Sequence, residues 1–224
     1  MAKGKMKKSK SRMVRRKRVK KATINKSLVN LGKGFPKKIL VTHKYVQTIG
    51  KSSVSVLTNH VYSCNGLYDP DITTSGHQPM YFDQFGALYN HYCVIGSKIR
   101  VKVIPVSSSQ SAGYCCISVN DDSTVTPTSV EALQEQSSGK GTIIPASSNN
   151  ITTMTSSWSA RKNWGKNVLS NTLFRGSTSA NPTEQQYYIV SLGALDNIGP
   201  LSFYLEVEIQ YIAIWNELKD IAQS

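Results

Sequence analysis

The sequence predicts an all-β chain, a double-sheet sandwich preceded by a basic arm. Three observations carry this. Only 18% of the 224 residues are charged, and the chain is rich in Ser and Thr and holds 11 Tyr, a composition suited to pleated, half-buried surfaces. Residues 201–215 alternate strictly, with Leu201, Phe203, Leu205, Val207, Ile209, Tyr211, Ala213 and Trp215 at the odd positions and Ser202, Tyr204, Glu206, Glu208 and Gln210 among the even ones. That period of two buries one face of a strand. Strand-like segments are also separated by long loops, at 63–90, 120–140 and 159–185, and loops of that length in a compact domain are normally functional.

Eight segments read as strands, at roughly 39–49, 53–62, 91–104, 112–119, 141–145, 150–158, 186–192 and 201–215. In the third, Ile99, Val101 and Val103 alternate with Lys98, Arg100 and Lys102, so one face is core and the other a short basic stripe. One helix is expected, two turns long, from a capping box spanning Thr128 to Glu131 after Pro127, with Val130 and Leu133 as its apolar face. No apolar run approaches the roughly 20 residues of a membrane helix, and no apolar stretch follows the basic N-terminus as in a secretory signal. The expectation is a protein with no membrane partner.

The charge is segregated. Residues 1–44 hold 17 of the 27 Lys and Arg and no acid, and the first carboxylate is Asp69. Residues 45–224 hold 10 basic residues against 13 acids, which leaves the body at −3. Twelve cations fall between Lys3 and Lys21: Lys3, Lys5, Lys7, Lys8, Lys10, Arg12, Arg15, Arg16, Lys17, Arg18, Lys20 and Lys21. Mutual repulsion and the lack of apolar side chains predict a disordered segment. Gly32, Gly34 and Pro36 read as a hinge, so residues 1–38 are expected to be arm and hinge and 39–224 the folded domain. Such arms bind nucleic acid through its phosphates, and the same run is a candidate nuclear-import signal. The stripe Lys98, Arg100 and Lys102 is a secondary candidate for that contact, against the plainer reading of a solvated strand face.

No catalytic constellation is visible. Cys64, Cys93, Cys115 and Cys116 form no CxxC, and Cys115 and Cys116 point to opposite faces of one strand. They read as buried reduced thiols rather than a zinc site. His43, His60, His77 and His91 form no HxH or HxxxH pair, and no nucleotide-binding fingerprint is present. No cofactor, metal or enzymatic activity is expected. Asp69, Asp71, Asp83 and the pair Asp121–Asp122 raise calcium between subunits as one alternative and ordinary turn chemistry as the other. Trp158, Arg161, Lys162, Trp164 and Lys166 could stack bases, but the favoured reading is core or subunit contact.

Asp69-Pro70-Asp71, Gly76-His77-Gln78-Pro79, Phe82-Asp83-Gln84 and the run from Tyr92 to Lys98, all within 65–101, resemble capsid proteins of small circular single-stranded DNA viruses that encode a rolling-circle replication protein, the circovirus-like genomes. Similar strings occur in capsids of small positive-strand RNA viruses, so the segment marks a capsid more firmly than a genome type. Residues 158–169 and the last strand look similar too. The resemblance implies an eight-stranded antiparallel jelly-roll sandwich with a disordered basic N-terminal arm. It also implies an icosahedral shell with one subunit per asymmetric unit. The partners it implies are further copies of the chain, genomic single-stranded DNA and host nuclear import factors. The 65–101 segment would then be a loop and strand of the shell, without catalytic residues. The alternatives are a capsid of a small RNA or satellite virus and, from a different class, a cellular nucleic-acid-binding β-domain protein.

Overall fold

A computed structural model describes residues 34–53, 57–74, 76–106, 111–124, 127–136, 138–146, 150–165, 168–196 and 201–220. The arm through Lys21 lies outside them, as does most of the hinge. In chain order the elements are β1 (Lys38–Ser53), β2 (Thr58–Ser63), α1 (Phe82–Leu88), β3 (Tyr89–Pro105), β4 (Gly113–Asn120), α2 (Val130–Glu135), β5 (Lys140–Ile144), β6 (Thr152–Ser159), α3 (Ala160–Trp164), β7 (Gly176–Ser177), β8 (Tyr187–Ala194) and β9 (Leu201–Leu218).

The strands form two antiparallel sheets. One runs β1-β9-β3-β6, with β7 pairing β3, and the other runs β2-β8-β4-β5. Apart from the β4–β5 hairpin and the short β7, each successive strand crosses to the opposite sheet, so the first strand bonds the last and the two sheets wind together. This is the jelly roll, two interlocked Greek keys. Antiparallel pairing places the β1–β2, β3–β4, β5–β6 and β8–β9 connections at one end of the sandwich. The long connections carrying α1, α2 and α3 lie at the other.

β9 shows why the pattern works. Leu201, Phe203, Leu205, Val207, Ile209, Tyr211, Ala213 and Trp215 all lie in the buried core, as the alternation requires. From the second sheet, Cys115, Ile117, Tyr188, Val190 and Leu192 meet them. Cys116 faces the other way, into a small cluster where Val130 and Leu133 of α2 pack on Tyr114. The two neighbouring cysteines do point to opposite faces, and the apolar face expected for the helix is the one buried.

Five local features differ from the sequence reading. The cap of α2 is Ser129, whose hydroxyl accepts from Ala132 N at 3.1 Å, so the helix starts one residue after the Thr128 box. α1 occupies residues expected to be loop, with Phe82 and Gly86 buried; at seven residues it is too short to give a readable helical period. α3 and β7 were also expected to be loop. The register of β3 against β9 shifts between Val94 and Gly96; a bulge of this kind breaks the alternation, so the period of two is clean only from Ser97 onward.

Candidate functional site

The five-stranded sheet turns Lys44, Lys98, Arg100, Lys102, Glu206, Glu208 and Gln210 to its outer face. Register sets Lys98 beside Gln210, Arg100 beside Glu208 and Lys102 beside Glu206. The basic stripe is therefore largely neutralised. Arg100 Nη2 donates to Glu208 Oε2 at 2.6 Å, and Lys102 Nζ to Glu206 Oε1 at 2.7 Å. Lys44 Nζ reaches Glu208 Oε2 from β1 at 3.1 Å. Burial would raise the Glu208 carboxyl, but hydrogen bonds from Lys44 and Gln210, with the charges of Arg100 and Lys44, outweigh it and hold the group below its ordinary range. Among the described residues only Lys98 of the three has no carboxylate partner. Even positions 206 and 208 were visible in the sequence. That they sit against 100 and 102 is a matter of strand order.

Because these pairs are partly exposed, each contributes at most about 1 kcal/mol. A Glu206→Gln, Glu208→Gln variant is expected to fold normally while freeing Lys44, Arg100 and Lys102. Its affinity for single-stranded DNA should become steeper in salt by roughly 0.7 in log–log slope for each freed cation that meets a phosphate. An unchanged slope in a salt titration would show that this face does not meet nucleic acid.

The loop between β2 and α1 carries Asp69, Pro70, Asp71, Gly76, His77, Gln78 and Pro79, and Asp83 is exposed on α1. It is built around Asp71, which is fully buried. Asp71 Oδ1 accepts from Thr73 N and Thr74 N, and Oδ2 from Thr74 Oγ1 at 2.6 Å and from Gln47 Nε2 at 2.9 Å. His60 Nε2 lies 2.8 Å from Oδ1. Burial would raise this carboxyl, but the adjacent His60 imidazole and the hydrogen bonds from Thr74 and Gln47 hold it far below the usual carboxylate range. With both oxygens occupied, Asp71 has no lone pair for calcium. It ties the loop to β1 and β2.

The other loop residues are held in the same structural way. His77 stacks on Tyr45, with centroids 4.7 Å apart. An added Cβ on Gly76 would fall 2.8 Å from the Tyr45 hydroxyl and 2.9 Å from Asp71 Cβ, so the residue there must be glycine. Pro70 O accepts from Ser63 N at 2.8 Å, and Pro79 O from Phe82 N at 3.1 Å. Asn181, not singled out from the sequence, clamps the loop from the β6–β8 connection. Its Oδ1 accepts from Tyr68 N and Asp69 N, each at 3.1 Å, and its Nδ2 donates to Asp69 O at 2.9 Å.

The tryptophans anchor that connection. Trp158 is buried, donates its ring N–H to Gln186 and meets Trp164 edge-on at 5.1 Å. Trp164 in turn stacks on Phe174 at 4.3 Å. The core-anchor reading accounts for both rings; Lys166 lies outside the described residues. All four cysteines are buried and free, and burial pushes the Cys93 thiol up to about 11. Among the described residues no group of three or more His, Cys, Asp or Glu is placed to hold a metal ion.

His43 adds a pH dependence that the sequence did not show. Trp215 Nε1, a pure donor, donates to His43 Nε2 at 2.9 Å, so that nitrogen carries no proton. Nδ1 lies 3.3 Å from Met80 O, which fits an N–H donating there. Burial lowers the His43 pKa, opposed by the bond to Met80. The unfolded chain therefore binds the proton more readily, and stability is lost as pH falls from about 6.5 through the lower folded value. Asp71, also depressed, adds stability above about 3.9 that is lost as pH falls below that value. The melting temperature is expected to drop in two stages as pH falls, one beginning near about pH 6.5 and one beginning near about pH 3.9 and continuing below about pH 3. His43→Phe should remove the upper step and leave the lower; a wild-type melting temperature flat from pH 7 to 5 would overturn the His43 assignment.

The sequence matches no family model and no curated protein. Among solved structures the chain is similar to Desmodium yellow mottle tymovirus, at 15% identity over 88% of this chain and 98% of that chain, with a TM-score of 0.43. It is similar to an empty head of turnip yellow mosaic virus at 10% identity, over 85% and 87% of the two chains and with a TM-score of 0.46. Similarity to a decameric BFDV capsid protein is 11% in identity, over 80% of this chain and all 100% of that one, at a TM-score of 0.43.

Proposed function

We propose that this chain is a viral capsid protein whose jelly-roll body, residues 39–224, tiles a closed icosahedral shell with one subunit per asymmetric unit. The arm, residues 1–38, packages single-stranded DNA and is also the signal read by host nuclear import factors. The protein then acts in the host nucleus during assembly and ends in the virion.

The observation that carries this reading is the separation of charge. A body of −3 is joined to an arm that brings the total over residues 1–44 to +17. Backbone-directed packaging needs phosphate contacts and no base code. A cellular nucleic-acid-binding domain would instead show its cations on the folded surface, and here Arg100 and Lys102 are spent on Glu208 and Glu206. Self-contact has its own support. Val106, Ile143, Ile151 and Leu195 are exposed at the end bearing the β3–β4, β5–β6 and β8–β9 connections, and Met80 and Tyr81 at the opposite end. Exposed apolar groups gathered at unlike ends suit heterologous contacts, which give a closed assembly where the rotation closes and a filament where it does not.

The test is negative-stain microscopy of the full-length protein at neutral pH and moderate salt with nucleic acid present. Uniform spherical shells are the expected result. A monomer at every concentration would overturn the proposal. Digesting the enclosed nucleic acid with DNase or RNase separates the DNA capsid from the RNA or satellite alternative, which the same body and arm would also serve.

A further inference from the structure

The bulge in β3 leaves a hollow on the outer face of the five-stranded sheet. Past the bulge, Gly96 lies opposite Ile212 of β9 on one side and Ser159 of β6 on the other. Gly96, with no side chain, is part of the lining; an added Cβ would sit 3.4 Å from the Trp158 carbonyl oxygen. The trench has a volume of about 500 Å³ and is lined chiefly by Ile95, Gly96, Lys98, Trp158, Gln210 and Ile212. Ile95 and Ile212 give it apolar walls, and Thr42, Ser97, Lys98, Ser159 and Gln210 give it a largely polar remainder; the volume is that of a small-molecule site. A second hollow shares Ile95 and runs on to Leu169 and Arg161.

The charges differ along this face. One row further down the sheet, Arg100 is paired with Glu208, and beyond it Lys102 with Glu206. Neither Lys98 at the trench nor Arg161 in the adjoining hollow has a carboxylate within 4.0 Å among the described residues. A slot with apolar walls, rimmed by an uncompensated ammonium, complements a flat, weakly polar ring joined to an anion.

We propose that this trench is a nucleotide subsite of the folded body. It takes one base of single-stranded nucleic acid against Ile95 and Ile212, with the adjoining phosphate on Lys98. The inference rests on the packaging role proposed above and adds to it a fixed contact point on the sheet for nucleic acid that the arm gathers. A second copy of the chain is the competing occupant, but it would have to bring a carboxylate to Lys98.

The test uses full-length protein mixed, before assembly, with oligothymidylate carrying 5-iodouracil, then irradiated and mapped by peptide mass spectrometry. Cross-links are expected in the arm and also at residues 95–98 and around Ile212. Lys98→Ala should cut the body cross-links several-fold, leave the arm cross-links in place and lower the salt slope of binding by roughly 0.7. Ile212→Trp fills the trench without changing charge and should remove the body cross-links. Ile212 is 42% exposed, so neither variant touches the core. Cross-links confined to the arm would overturn the subsite and leave the packaging role standing. No cross-links anywhere would overturn both. Loss of particles in Ile212→Trp, with no body cross-links in the wild type, would assign the trench to a subunit contact and overturn the subsite.

Discussion

Val207→Asp is expected to abolish folding of the body, and with it any assembly. Val207 is fully buried in β9, between Gln47 of β1 and Val101 of β3 in the register. A carboxyl there has no cation or donor set aside for it. Taking up a proton at pH 7 from an ordinary pKa near 3.9 costs about 4 kcal/mol, at 1.36 kcal/mol per unit. An unsatisfied buried polar group adds about 1–3 kcal/mol. The sum rivals the whole stability of a typical domain, about 5–15 kcal/mol. Glu206→Gln, one residue away and on the other face, is the control and should fold. Circular dichroism and sedimentation of the two variants check this. Soluble, assembled Val207→Asp protein would mean that the inward and outward faces of β9 are exchanged.

Removing residues 1–21 should leave folding intact and sharply reduce packaging. The deletion takes twelve cations and moves the formal charge from +14 to +2. Every strand of both sheets lies beyond it, since β1 starts at Lys38. For single strands each neutralised phosphate contributes roughly 0.7 to the salt slope, so losing twelve contacts should lower the slope by about 8. Packaged nucleic acid should fall sharply, and a fused reporter should lose nuclear entry. Grafting the arm onto an unrelated cytoplasmic protein should confer both binding and entry, without sequence preference. If the truncated chain binds single-stranded DNA as tightly and with the same salt slope, the arm is not the packaging element, and Lys98 with its trench or the Trp158–Lys166 segment must take that role.

What the sequence disclosed depended on how local each signal was. The alternation of β9 is written in consecutive residues, so its buried face could be read directly, as could the opposed Cys115 and Cys116. The arm is a matter of composition and needed no structure to be noticed. The fate of the basic stripe was hidden because Lys102 and Glu206, 104 positions apart, meet only once β9 is placed beside β3. Asp71 was hidden for the same reason, since its partners His60, Gln47 and Thr74 come from two strands and the loop itself. α1 left no period because it has only two turns, and the bulge at Val94 is a single-residue event inside an otherwise regular strand.

The pairing of β1 with β9 over its full length, Lys38 with Asn216 through to Ser53 with Leu201, bears on the timing of synthesis. β1 is among the first parts of the body to leave the ribosome, yet its hydrogen-bonding partner is nearly the last. Closing so long a loop is entropically costly and slows folding, and until β9 arrives the edges of β1 and β3 stand open to other chains. A chain cut short before β9 therefore cannot complete the five-stranded sheet. Truncated translation products are thereby left with unpaired strand edges, the feature that makes incomplete sheets prone to aggregate.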